Sequence, residues 1–197
     1  MPPSEITLGV LAGGRATRLG GLDKAWIERD GLPQVIRWQR RFASEVATTL
    51  VSANREFSRY AEVDLAVVPD RLAGDFGPIA GLDALAIRCE TPWLLTLPVD
   101  LFGVNDCLLP TLIAERFDNG AFAEDDDGPQ PLVALWRVAA LHQVVATAMA
   151  SNESAIHKLQ SELDLARVRF RGVRFGNLNT PDDLAAAGIA ITDFPHE

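Results

Sequence analysis

The sequence predicts one α/β domain, a doubly wound and mostly parallel sheet with helices on both faces. Two observations lead there. Short continuous apolar runs alternate with segments of helical spacing, and strands that are apolar throughout are those buried on both faces. The right-handed crossover then winds such a chain to both sides of the sheet. The length, 197 residues, suits a single core.

Ile6 to Leu11 is the first apolar run and ends in glycines, as a buried strand does. Val35 to Val46 carries Val35, Ile36, Trp38, Phe42 and Val46 at helical spacing with arginines between. Thr48 to Ser52 is β-rich and leads into Ala53 and Asn54. Leu65 to Val68 is a further strand and stops at Pro69-Asp70. Pro78 to Arg88 reads as a helix with proline in its first turn. Trp93 to Val99 is a strand that stops at Asp100. The second half is less regular. Leu108 to Phe117, Ala139 to Ala150 and Pro181 to Ala187 read as helices, Pro131 to Trp136 and Arg167 to Phe170 as strands. Glu124 to Pro129 is an acidic turn expected to be a solvated loop.

Composition excludes several classes. Hydrophobic residues make up 48%, the level of a globular protein. A net charge of −9 speaks against a nucleic-acid partner, which calls for a basic face. Cys89 and Cys107 have no metal-ligand spacing and read as incidental thiols. Met1 to Glu5 has no signal-peptide pattern, and no apolar run approaches the ~18 residues of a membrane span. A cytoplasmic chain with no membrane partner is expected. His142, His157 and His196 form no catalytic pattern.

In open α/β sheets ligands bind beyond the carboxyl ends of the strands. Those ends are followed here by Ala12-Gly13-Gly14-Arg15, by Asn54, by Asp70 and by Asp100. The first continues to Lys24 as L-A-G-G-R-A-T-R-L-G-G-L-D-K. Gly13, Gly14, Gly20 and Gly21 let backbone N–H groups approach an anion. Arg15, Arg18 and Lys24 set three cations against one acid, Asp23, reversing the sign of the whole chain. Polyphosphate suits such a loop; a plain surface turn is the alternative. Neither the G-x-x-x-x-G-K-[ST] nor the G-x-G-x-x-G pattern is present. Asp100 can hold Mg²⁺ together with substrate phosphates and water, or cap a turn. Asp70 can contact a base or ribose, or cap a turn. In Phe175 to Asp183, Thr180 reads as a helix N-cap with Pro181 behind it. Asn177 and Asn179 alternate on an extended segment, so that both amides face one way. They can read a polar heterocycle or brace the turn.

Taken together, Leu11-Ala-Gly-Gly, Gly20-Gly-Leu-Asp-Lys24, Asp70, Gly77-Pro-Ile-Ala-Gly81, Pro98-Val-Asp100 and Asn177-Leu-Asn-Thr-Pro181 resemble the molybdenum cofactor guanylyltransferases over nearly the whole chain. The resemblance implies a Rossmann-like nucleotidyltransferase fold, with a nucleotide-binding half over about 1–104 and an acceptor half over about 105–197. It implies Mg²⁺-dependent transfer of GMP from GTP to molybdopterin, with release of pyrophosphate. Leu11, Ala12 and Gly13, with Gly14 and Arg15 beside them, would contact the nucleotide. Lys24 would hold its phosphates, Asp70 the nucleoside end and Asp100 the metal. Arg18, Gly21, Gly77, Gly81, Asn177 and Asn179 would lie toward the pterin or the reacting phosphate, with Lys24, Arg18 and Asp100 as the catalytic group. Molybdoenzymes, their chaperones and other cofactor-biosynthesis proteins are the implied partners. The L-A-G-G start resembles the GTP-using branch. Three departures stand out: Ser52 where asparagine is usual, with Asn54 kept; Leu19 where methionine is usual; and no arginine over Ser151 to Leu159. His157, Lys158 and Arg137 are the candidates to replace that arginine. The alternatives are CTP as donor, a sugar phosphate or phospholactate as acceptor, or a non-catalytic nucleotide-binding delivery protein.

Overall fold

The structure is a computed structural model that describes residues 1–13, 23–71, 76–151 and 153–189. Among them the chain runs through a short 3-10 turn, Pro3–Glu5, into β1 (Ile6–Leu11). A second 3-10 turn, Lys24–Trp26, leads to the small hairpin β2 (Glu28–Arg29) and β3 (Leu32–Pro33) and to α1 (Gln34–Phe42). Then follow β4 (Thr48–Ser52), α2 (Phe57–Ala61), β5 (Ala66–Val68), α3 (Pro78–Arg88), β6 (Trp93–Pro98), β7 (Leu101–Phe102) and α4 (Leu108–Glu115). The remainder is β8 (Gly120–Asp125), β9 (Gly128–Arg137), α5 (Val138–Ala150), α6 (Ile156–Glu162), β10 (Ala166–Arg169), β11 (Gly176–Asn177) and α7 (Pro181–Ala186).

The main sheet has the order β10-β8-β9-β6-β1-β4-β5. Strands β6, β1, β4 and β5 are mutually parallel, with Gly9 opposite both Leu50 and Thr96. Strand β9 enters antiparallel between β6 and β8. The sheet is therefore parallel over β6, β1, β4 and β5 and mixed beyond β6. Two cores cover its faces. Ile6, Leu8 and Val10 of β1 point into one, with Trp38 and Phe42 of α1 and Leu112 of α4. Leu82 and Leu85 of α3, Leu141 of α5 and Leu159 of α6 fill the other. Each buried leucine of this kind contributes about 1.5–3 kcal/mol of transfer free energy.

The acidic turn departs from expectation. Glu124 and Asp125 end β8, Gly128 begins β9, and Asp125 is only 1% exposed. Its carboxylate accepts from the backbone N–H groups of Asp127 (2.9 Å), Gly128 (3.0 Å) and Phe175 (2.6 Å). Those amides replace the water that a charged group gives up on burial. The sequence analysis also left out β8, because Gly120-Ala-Phe-Ala-Glu-Asp has small and acidic residues rather than an apolar run. The helix expected to reach Val46 ends at Phe42, although the Val46 N–H still reaches Phe42 O at 3.2 Å. No helix among the described residues is long and apolar enough to cross a membrane.

Thr180 caps α7 as its sequence suggested, and the cap is reciprocal. Asp183 N–H donates to Thr180 Oγ1 at 3.2 Å, while Asp183 Oδ2 accepts from the Thr180 and Asn179 N–H groups at 2.8 and 3.1 Å. A bond from the Thr180 hydroxyl, assisted by those amides, holds the Asp183 carboxyl below the ordinary aspartate range.

Two expectations follow. Thr96 Oγ1 accepts from the fully buried Trp136 indole at 2.8 Å and donates to Leu132 O at 2.8 Å. Thr96→Val leaves the indole N–H unpaired and is expected to cost about 1–3 kcal/mol in urea unfolding; an unchanged midpoint and slope would refute the role. A carboxylate whose folded-state pKa is lowered adds stability above the ordinary aspartate range, and that stability is lost as pH falls through the lowered value. Asp183→Asn should therefore flatten the acid limb of melting temperature against pH and leave the neutral-to-alkaline limb parallel to wild type.

Candidate functional site

The rim formed by the carboxyl ends of β1, β4, β5 and β6 is held in register past the strands themselves. Ala12 N–H donates to Ser52 O at 2.9 Å, Ala53 N–H to Val68 O at 3.2 Å, and Val99 N–H to Leu11 O at 3.0 Å. This brings Leu11, Ala12 and Gly13 beside Ser52 and Asn54, with Asp70 and Asp100 on either flank. Gly14, Arg15, Arg18 and Gly21, also expected here, lie outside the described residues.

Lys24 and Asp100 meet on this rim although they are far apart in sequence. Lys24 Nζ donates to Asp100 Oδ2 at 2.7 Å and to Asn179 Oδ1 at 2.5 Å. Both charged side chains are 19% exposed, so their attraction is screened less than at an open surface. Asp23 Oδ1 accepts from the Ala25 N–H at 3.0 Å, capping the turn that carries Lys24. Beneath that turn Trp26 packs on Tyr60, with 4.8 Å between ring centroids, and burial pushes the Tyr60 hydroxyl well above its ordinary pKa, so it stays neutral.

Asp100 is braced from three directions. The indole of Trp38 donates to Val99 O at 3.2 Å and the amide of Gln34 to Leu101 O at 3.3 Å, both from α1. The Leu178 N–H donates to Asp100 O at 2.9 Å. Strand β11 pairs with β7, Asn177 opposite Leu101, and so delivers the asparagine motif to this place. Buried Leu178 anchors the motif against Ile27, Leu184 and Ile189. The motif is not simply extended. Asn179 N–H donates to Asn177 O at 3.0 Å, so the backbone turns tightly between them and the expected alternation stops at Asn177. Asn179 goes to Lys24, while the Asn177 side chain has no hydrogen bond among the described residues.

The other flank is a reciprocal pair. Asn54 Nδ2 donates to Asp70 Oδ2 at 2.8 Å, and Asp70 N–H to Asn54 Oδ1 at 2.9 Å. Asp70 Oδ1 and Ser52 Oγ, both buried, have no partner among the described residues. Buried polar atoms are normally paired, so two orphans on one rim mark a place where a polar ligand fits. Gly81 is glycine for a local reason: a Cβ there would stand 2.8 Å from Ser52 Oγ and 2.9 Å from Leu11 Cδ2. Gly77 caps α3 with φ of 56°, which a side chain would disfavour, and a Cβ there would meet nothing within 4 Å. At Gly13 a Cβ would make only ordinary contacts, 3.7 Å from Asn54 Nδ2. Packing among the described residues therefore does not require that glycine.

For the metal, the donor chemistry fits. Asp100 offers one carboxylate, and Mg²⁺ is commonly held by one or two carboxylates completed by phosphates and water. Among the described residues no set of three or more acidic, His or Cys side chains forms a cage independent of substrate. Of the candidates for the absent arginine, Arg137 is ruled out by position. It pairs with Trp93 at the start of β6, on the opposite rim from Asp100. Helix α6, which carries His157 and Lys158, approaches the correct rim, where Gln160 Nε2 donates to Pro131 O at 3.0 Å. Lys158 is ion-paired with Glu153.

Gln34, Trp38 and Leu178 act here without a signal in the sequence. Their partners are backbone atoms remote in sequence, which no motif spells out; Trp38 read simply as an apolar contact.

A model of the MobA-like NTP transferase domain matches residues 8–166. A molybdenum cofactor guanylyltransferase of Yersinia pseudotuberculosis is 33% identical over 182 residues, 91% of this chain and 93% of the relative. One from Yersinia pestis is 32% identical over the same span, with the same coverage of both chains. Among solved structures, molybdopterin-guanine dinucleotide biosynthesis protein A from Archaeoglobus fulgidus superposes with a TM-score of 0.69 at 20% identity, covering 92% of this chain and 96% of that one. The inositol-1-phosphate CTP transferase of T. maritima gives 0.75 at 13% identity, with 95% of each chain covered. At such identities the two structures speak for the fold, and the sequence relatives and the domain match carry the assignment: the chain belongs to the MobA-like NTP transferase family.

Proposed function

We propose that this chain transfers GMP from GTP to molybdopterin, releasing pyrophosphate and forming the guanine dinucleotide cofactor. The observation that carries the reading is the convergence of Lys24, Asp100 and Asn179 on one rim of the sheet. A cation and a carboxylate held beside a glycine loop are what a nucleoside triphosphate with its metal calls for. The guanylyltransferase relatives, alike over most of both chains, support GTP and molybdopterin as the substrates.

The roles divide along the rim. Leu11, Ala12 and Gly13 bring backbone against the nucleotide. Asp70, aimed by Asn54, offers its unpaired Oδ1 to N–H or O–H donors of the nucleoside, and Ser52 Oγ, next to Gly81, is a further unpaired group on the rim. Lys24 neutralises phosphate charge, Asp100 holds Mg²⁺, and Asn177 and Asn179 face the acceptor. Mg²⁺, when bound, supplies charge neutralisation on the phosphates. By their place in the sequence between Gly13 and Lys24, Gly14 and Arg15 are assigned to the nucleotide and Arg18 and Gly21 to the pterin or the reacting phosphate, as are Gly77 and Gly81. The attacking phosphate is already ionised near pH 7, so the chain need not supply a base. Its contribution is alignment and charge, which suffice for phosphoryl-type transfer.

With Mg-GTP and molybdopterin the purified protein should release pyrophosphate, and Lys24→Ala or Asp100→Ala should each lower turnover by at least ~10²-fold. Absence of turnover with an acceptor proven active on another enzyme would defeat the proposal. In thermal shift with Mg²⁺, GTP should stabilise the chain more than CTP, UTP or ATP; a CTP preference would reassign the donor. Asn54→Ala frees Asp70 from its partner and is expected to raise KM for the nucleotide about tenfold with kcat nearly unchanged, the signature of lost uniform binding.

A further inference from the structure

A second concavity lies apart from the rim. A cleft of about 460 Å³ opens between the β2–β3 hairpin, α1 and the segment following β7. None of its lining residues is a candidate nucleotide-site residue. Four are arginines, Arg29, Arg37, Arg40 and Arg41, and none is acidic. Arg37, Arg40 and Arg41 stand at i, i+3 and i+4 on α1 and so form one stripe. In a chain of net charge −9 this is a marked local reversal. The apolar part of the lining comes from Leu32, Trp38, Leu101, Phe102 and Val104.

The arginines differ in how far they are engaged: Arg37 also donates to Arg29 O at 2.9 Å and Arg41 to Asn105 O at 3.4 Å, whereas Arg40 makes no such bond among the described residues. Arg29 and Arg37 share the carboxylate of Asp30, at 3.8 and 3.2 Å, and that side chain is 74% exposed. Arg41 is paired with Glu45 and lies 3.0 Å from Asp106, 93% exposed, yet its buried Nε–H has no aligned hydrogen bond. Arg40 is exposed and has no acidic partner among the described residues. The pairs with the exposed Asp30 and Asp106 are worth at most about 1 kcal/mol each, so another carboxylate can displace those two.

We propose that this cleft is a docking site for an acidic segment of a partner protein, with carboxylates on the arginine rim and an apolar side chain against Trp38 and Phe102. A row of side-chain guanidinium groups beside this apolar lining suits spaced carboxylates with apolar groups between them. A compact polyphosphate would call for converging backbone amides rather than a row of side chains. Asp30 and Asp106, the chain's own carboxylates, already show the chemistry that the rim accepts. The walls include Gln34 and Trp38, the two side chains that brace the backbone on either side of Asp100. A partner seated here therefore contacts the supports of the rim without entering it.

The test uses the full chain and a fluorescein-labelled Glu-rich peptide carrying spaced leucines, followed by anisotropy at low salt and at ~0.15 M salt. Saturable binding that weakens with salt is expected, with the all-Gln version of the peptide failing to bind. Arg40→Glu alone, and Arg37→Glu with Arg40→Glu, should weaken binding at least ~tenfold while the melting temperature and GTP binding stay as in wild type. A saturating concentration of Mg-GTP should not displace the peptide. Equal binding by the Gln peptide, displacement by GTP, indifference to both arginine variants, or binding of tripolyphosphate but not of the peptide would each overturn the proposal. Because the readout is binding, it stands or falls separately from the transfer reaction.

Discussion

The ion pair between Lys24 and Asp100 sets the terms for everything near it. Two opposite charges, each about four-fifths removed from solvent, are tolerable only while each satisfies the other or a ligand satisfies both. The chain invests heavily in keeping them together. An aspartate cap aims the lysine turn, α1 clamps the carbonyls before and after Asp100, and the asparagine motif closes over both. A pair held this way is preorganised: phosphate and metal can exchange with existing partners, and little backbone has to move.

The sheet explains why these groups meet. Parallel strands place all their carboxyl ends on one edge, and the hydrogen-bond ladder continues one step past β1, β4 and β6, so the loops leave in register. The antiparallel β9 changes what lies beyond. It reverses the strand direction next to β6, carries Arg137 to the far edge and brings Pro131 to the near one, where α6 is fastened. The parallel strands thus follow the common logic of open α/β sheets, while the elements beyond β6 depart from it by turning the sheet mixed.

That division matches what could be read from residues alone. The buried strands Ile6–Leu11 and Trp93–Pro98 and the helix Pro78–Arg88 were legible because each is apolar throughout or carries its own stop signal. The Lys24–Asp100 meeting was legible as a consequence of strand ends sharing a rim. Strand β8 was not, since its burial comes from neighbours rather than from its own composition. An acid such as Asp125 usually faces solvent; the local amides of Asp127 and Gly128 and the Phe175 amide, fifty residues away, reverse that. The braces Gln34 and Trp38 were illegible for the same reason. Their partners are carbonyl oxygens, and every residue has one. Local pattern reveals what a segment prefers, and only tertiary contact reveals what it holds.

The Asn179 contact has a consequence in time as well as in space. It joins the lysine turn to a residue 155 positions later. During synthesis the parallel strands and their helices leave the ribosome long before the segment that completes the rim. A nascent chain already carries Lys24, Asp100 and the braces of α1 once the first half of the sheet is out, yet the lysine gains Asn179 only when the last two elements fold back across Ile27. The centre is thus completed last, by a clasp that the final segment alone supplies.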